Sequence, residues 1–295
     1  MRSIVNDRQF ELDNTRATDC YRELNRRLYR SDPADYFRRR LRSVRSVEAR
    51  HVTKLSGGSD ALVTDANDEV GPYIASESLV LLHQVAETVV RWHLAHAHDS
   101  PCPWLELSAE RHSALFSRRV EEEILNLDSA ELEDDVAFVF FGVRPPAVER
   151  RASLKPLALT TDRLRTLAAR FLSDAQVYNA AKHGMALIGG RRATNDDSPG
   201  ARDGSSTVTF LSPSKWMHDE RNWTLNIEPQ DVSGNLALVE SGADMLEALW
   251  TVASARYFSE PADHPESDSD RLSVSPDGDP GEPVRIHLFS EQRPQ

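Results

Sequence analysis

The chain has 295 residues, about two-fifths of them hydrophobic, which allows one large domain or two modest ones with a mostly aliphatic core. A formal net charge of −12 argues against general attraction of the whole chain to nucleic acid or membrane. Cys20 and Cys102 make no disulfide framework, no apolar run is long enough to span a bilayer, and the opening MRSIVNDRQFELDN lacks a signal-peptide core, so the chain reads as a soluble cytoplasmic protein.

The first 55 residues are rich in arginine, with no lysine before Lys54, and read as an Arg-rich helical arm. Tyr21, Leu24 and Leu28 step at helical spacing until Pro33 ends the first helix. A second helix is expected over Asp35–Val47, with Tyr36, Phe37 and Leu41 apolar. Turn residues between Ser56 and Pro72 predict a loop. A helix capped by Ser76 follows to about His98. It is apolar over much of its circumference and therefore central to the fold. A more polar helix is expected near 109–127. The run from Val136 to Val143 fits either a strand or a buried helix end. Thr160 or Thr161 is expected to cap one long helix reaching Ile188, with Gly189 and Gly190 as its stop. Strands are predicted near 207–211 and 222–228, a helix near 244–258, and an acidic disordered loop over 261–283 before a last strand, Val284–Phe289. The expected fold class is mainly α (α+β), a helical bundle with a small antiparallel β element. The bundle core spans 56–257, and 258–295 forms the acidic loop and terminal strand.

One stretch of the long helix stands apart, VYNAAKHGMAL at Val177–Leu187. Asn179 and His183 are an i, i+4 pair, and Lys182 falls on the apolar stripe four residues after Tyr178. Gly184 costs roughly 1 kcal/mol against alanine inside a helix unless something needs close approach. On the earlier helix, His83, Glu87 and Arg91 repeat at i, i+4, i+8. If that stripe faces inward, Glu87 meets Lys182 or His183 and orients a base. If it faces outward, Glu87 pairs with Arg91 on its own helix, and the whole patch is a structural hydrogen-bond network. His93, His96 and His98, with Asp99 and Cys102, raise zinc as a question. Histidines also gather at helix C-termini because of the macrodipole, and no second ligand cluster exists, so no metal site is assigned. Phosphate-binding, dinucleotide-binding, nucleophile-elbow and zinc-protease motifs do not occur, and no cofactor is implied.

The early helix with a glutamate and the later helix ending YNAAKHG resemble bacterial helical-bundle proteins of the HEPN type, over about Tyr73–Ile188. In that group an Arg-x4–6-His element on the last bundle helix forms an RNA-cleaving site across a dimer. Here Gln176, Val177 and Tyr178 occupy the places where the arginine would stand. Arg-x4–6-His spacings occur instead at Arg45–His51 and at Arg91 with His96 or His98, on other helices. The resemblance implies a ribonuclease with His183 as acid/base, Lys182 stabilising phosphate charge and Asn179 positioning, with RNA as its partner. The reading from the residues themselves is a non-catalytic interaction or regulatory module, acting on an unknown protein partner or as a homodimer. The candidate site residues common to both are His183, Lys182, Asn179, Glu87 and Arg91.

Overall fold

The computed structural model describes residues 18–56, 70–109, 113–143, 154–182, 188–191, 206–213 and 223–258. The architecture is mainly α, a helical bundle with a small antiparallel sheet on one flank. The helices are α1 (residues 18–28), α2 (Pro33–Ser56), α3 (Val70–Ala97), α4 (Pro103–Ala109), α5 (Ser113–Val120), α6 (Ser129–Phe141), α7 (Leu154–Ser173), α8 (Ala175–Lys182) and α9 (Val232–Phe258). A π turn, Glu121–Leu125, continues α5 and is closed by the Asn126 amide donating to Glu121 O at 2.8 Å.

Helix α3 is the axis of the bundle, and α2, α7, α9 and the sheet all pack against it. Its apolar residues occupy more than one face, so it is buried over much of its length. Gly242 lets α9 approach it closely, since a Cβ there would lie 2.9 Å from a Val85 methyl. The helix starts at Val70, six residues before the expected Ser76 cap. Ser78, also near that predicted start, lies inside the helix and donates its hydroxyl back to Ala75 O at 2.9 Å.

Helix α1 ends at residue 28, five residues before Pro33, which begins α2. Proline fits the first turn of a helix, where its missing N–H has no intrahelical partner, and Asp32 accepts from the Ala34 amide at 2.8 Å. Phe37, Leu41 and Val44 are buried in the main core, so α2 packs into the bundle instead of standing off as an arm. Its arginines meet carboxylates across the contact. Arg38 pairs with Asp244 at 3.0 Å and with Glu247, Arg45 pairs with Glu240 at 2.7 Å, and Arg40 reaches Glu77. The Arg-rich composition is therefore answered, in α2, by acids on α9 and α3.

The run from Val136 to Val143, open between strand and helix, belongs to α6. Asp128 caps its start by accepting from the Ala130 amide, and Gly142 ends it in the left-handed conformation at φ 69°. The predicted single helix over 160–188 is two helices and a strand. Thr160 and Thr161 lie inside α7, their hydroxyls donating to the carbonyls four residues back, so neither is a cap. The chain breaks at Asp174, whose carboxylate accepts from Ser173 at 2.8 Å and lies 3.0 Å from Arg170 Nε. Gly189 and Gly190 are not a helix stop. They pair with Val208 and Thr207 as part of strand β1 (Ile188–Arg191).

Strands β2 (Ser206–Pro213) and β3 (Trp223–Pro229) complete an antiparallel sheet in the order β1-β2-β3. Both were expected from their alternation. The third expected strand, 284–289, and the loop before it lie outside the described residues. Val208 and Phe210 are buried in a small cluster with Ala75 and Leu79 of α3 and Val177 and Ala180 of α8. This cluster fastens the sheet to the bundle.

Candidate functional site

Helix α8 carries the described half of the VYNAAKHGMAL stretch. Val177 and Ala180 turn inward, which rotates Asn179 and Lys182 to the exposed side of the same helix. His183 and Gly184 lie outside the described residues. The tie from α8 to α3 at this level runs through Tyr178, whose ring stacks on His83 with centroids 4.1 Å apart at 21°.

His83 is buried between Tyr178 and Phe171, and its Nδ1 has no hydrogen-bond partner. Burial pushes its pKa down to about 4 against a weak opposing pull from Glu87, so the ring is neutral near pH 7. Glu87 accepts from Arg91 Nε at 2.9 Å, the same-helix pairing. Arg91 also lies over the Phe116 ring, 4.0 Å from its centroid. The expected stripe thus divides: His83 faces α7 and α8, and Glu87 and Arg91 form a partly exposed ion pair one to two turns further along α3. Ala180 packs beside Ala75 and Leu79, placing the end of α8 toward the opposite end of α3. Glu87 also borders an open cleft of about 370 Å³ between α2 and α3, with Pro33, Tyr36, Phe37, Gln84 and Thr88.

The histidine-rich end of α3 is built into packing. His93 is fully buried, lies parallel to Phe140 at 5.8 Å, and has no partner for either ring nitrogen; desolvation takes its pKa to about 3. His96 is held at both nitrogens. Its Nδ1 lies 2.6 Å from Trp92 O, which can only accept, so Nδ1 carries the proton. The Tyr29 hydroxyl then donates to Nε2 at 2.5 Å. Tyr29 stacks on Tyr257 at 5.4 Å and 6°, closing an aromatic box that pins α1 to α3 and α9. His98 is exposed, 3.1 Å from Glu123. Among the described residues no group of three or more His, Cys, Asp or Glu side chains is placed to hold a metal ion. Cys20 and Cys102 are both free thiols, pushed upward in pKa by burial.

The sheet presents a feature that the sequence reading passed over. Cross-strand register places Ile188, Thr209 and Ile227 in one row and Leu211 and Leu225 in the next, all on the face away from α3. Ile188 is 60% exposed, Leu211 47%, Leu225 61% and Ile227 62%. Among the described residues of this face Thr207 is buried and Thr209 half-buried. Strand β3 is open on both faces. Leu225 and Ile227 point to solvent, while on the side shared with Phe210 and Val208 Asn226 is half-buried and Thr224 and Glu228 are exposed. Glu228 lies near Asp174 and Arg170, and its pKa is raised by desolvation first and the Asp174 charge second. Arg170 also donates to Asn235 of α9 at 3.2 Å. The signal was in the alternation itself, because period 2 fixes two faces without saying which is buried.

These features define a mainly-α bundle with an aliphatic sheet face turned outward. Comparison with protein-family models, curated proteins and solved structures finds no match. Among the described residues no helix is long and apolar enough to cross a membrane.

Proposed function

We propose that the protein is a non-catalytic cytoplasmic interaction module that receives an extended apolar peptide segment on the outer face of its sheet. The observation that carries this reading is the patch of Ile188, Leu211, Leu225 and Ile227, aliphatic side chains left in water in two neighbouring rows of a sheet whose other face packs Val208 and Phe210 against α3 and α8. Contiguous exposed apolar patches mark interaction sites, whereas singly scattered ones do not. The patch is two rows deep and offers roughly 400 Å², well below the roughly 800 Å² per partner of a standard protein complex. It therefore fits one extended segment better than a globular surface, and alternate side chains of such a segment would rest between the two rows. Fluorescence anisotropy with peptides bearing Val, Ile or Leu at alternate positions tests the reading. Leu225→Asp with Ile227→Asp should weaken binding at least tenfold while leaving the circular dichroism spectrum unchanged. Equal binding by the double variant refutes it.

The HEPN-like ribonuclease is the second reading, supported by Asn179 and Lys182 reaching solvent on one side of α8, next in sequence to His183. Under it, His183→Ala abolishes RNA cleavage and leaves the melting temperature unchanged. Cleavage that persists in that variant refutes it.

A further inference from the structure

A second recognition site stands apart from the sheet: we infer that the cleft between α2 and α3 binds a primary alkylammonium group. Each helix gives the cleft one face. On α2, Pro33, Tyr36 and Phe37 stand at i, i+3, i+4, and on α3, Gln84, Glu87 and Thr88 repeat the same spacing. One wall is therefore apolar and aromatic, and the other is polar. The space between them is about 370 Å³, toward the small end of the range that holds small molecules.

The polar wall offers acceptors. Arg91 Nε engages one oxygen of the Glu87 carboxylate, at 2.9 Å, and leaves the other for a ligand. The Thr88 hydroxyl gives its proton to Gln84 O at 2.8 Å, so toward the cleft it can only accept. Gln84 Oε1 is buried with no hydrogen-bond partner among the described residues. The last torsion of a glutamine is soft, so a small turn brings that oxygen to a ligand N–H. An ammonium carries three N–H donors and no acceptor, which matches these three side chains in number and sign. Other ligand classes fit less well. None of the six lining residues is cationic, so an anion meets Glu87 and no counter-charge. A wholly apolar ligand strips water from Glu87 and returns nothing. The positive end of the α2 dipole is already answered, because Asp32 accepts from the Ala34 amide at 2.8 Å and Asp35 sits in the first turn.

The aromatic wall suits the alkyl stem. Phe37 is anchored in the main core, and the half-exposed Tyr36 ring meets it edge-on at 5.1 Å and 80°. Arg40 fixes Tyr36 from outside the cleft. It donates to the Tyr36 hydroxyl at 3.0 Å, lies 5.9 Å from the ring centroid, and is itself held by Glu77. A stem lying along Tyr36 and Phe37 loses water on its apolar side while its charged end faces Glu87. A free alkylamine and the lysine side chain of a partner both present this chemistry.

The test is calorimetric titration of the full chain with 1-aminopentane, with 1-pentanol and pentanoate as the same stem bearing a neutral and an anionic end. The amine should bind at least tenfold more tightly than either control. Glu87→Gln should weaken amine binding at least tenfold. Tyr36→Ala, at a half-exposed position, should weaken it about two- to fivefold with an unchanged circular dichroism spectrum. Thr88→Val, which removes an acceptor from the same wall, takes the place of Glu87→Gln if loss of the Arg91 pair unfolds that variant, and should weaken binding severalfold. A blocked lysine peptide separates the two sources. Tighter binding than 1-aminopentane assigns the cleft to a partner's lysine, and equal or weaker binding assigns it to a free amine. Pentanol or pentanoate binding as tightly as the amine, no saturable heat up to about 10 mM amine, or unchanged affinity in either folded variant overturns the inference.

Discussion

Lowering the pH from 7 to 5 should remove about 6 kcal/mol of folding free energy through three buried histidines. His83, His93 and His96 are neutral in the fold, with pKa values taken by burial from 6.5 to about 4, 3 and 4. The unfolded chain binds protons at these rings below pH 6.5, and the folded chain does not. Stability is thus full above pH 6.5 and is lost as pH falls from 6.5 toward 4. At pH 5 each ring is about 1.5 pH units below its unfolded value, worth about 2 kcal/mol, and three give about 6. Domains of this kind hold roughly 5–15 kcal/mol in all, so the loss is a large fraction of the whole. Asp135, Asp174 and Glu228 act in the opposite sense, since burial raises their pKa values, and their contribution grows as carboxylates begin to protonate. Urea unfolding at pH 7 and pH 5, followed by circular dichroism, measures the difference. His93→Leu supplies the control. Neither ring nitrogen of His93 has a partner, so the variant should gain about 1–3 kcal/mol at pH 7 and lose about a third of the pH dependence. Equal unfolding free energies at the two pH values, or ring resonances titrating near 6.5, would refute the reasoning.

The two faces of the sheet should respond oppositely to substitution. Ile227→Asp leaves thermal stability within about 0.5 kcal/mol, whereas Phe210→Ala on the packed face costs about 3–5 kcal/mol in chemical denaturation. Gly242→Ala forces a Cβ against the branched Val85 and should destabilise by about 1–3 kcal/mol; an unchanged melting temperature shows that α3 and α9 can separate freely. Arg38→Ala and Arg45→Ala remove surface pairs only partly shielded from water, so each should cost no more than about 1 kcal/mol, measured as a melting shift that shrinks in 0.5 M salt.

Elements with a strong period were legible in the sequence, and breaks within them were not. The apolar stripe of α3 and the alternation of β2 and β3 pointed to the right element types. Helices α7 and α8 read as one because the residues after Asp174 resume helical spacing, and the backbone bonds from Asp174 N to Arg170 O and from Tyr178 N to Asp174 O carry the helical pattern across the break. The glycine pair at 189–190 was read as a helix stop, but β1 forms there because β2 offers it a partner some twenty residues later. The candidate site shows the same division. The pairing of Glu87 with Arg91 on one helix follows from i, i+4 spacing. That His83 stacks on Tyr178 depends on two helices meeting, and the outward turn of Leu225 and Ile227 depends on Val208 and Phe210 of β2 turning the other face toward α3 and α8.

The packing of α2 against α9 also sets a timetable. The residues joined by the Arg45–Glu240 and Arg38–Asp244 pairs are 195 and 206 positions apart. At roughly 5–20 residues per second, a ribosome emits α2 about 10–40 s before the helix that covers it exists. During that interval Phe37, Leu41 and Val44 have no α9 to shelter against. The first helices made are among the last to be fully covered, so the nascent chain passes through a prolonged sticky stage in which chaperone capture competes with misassembly.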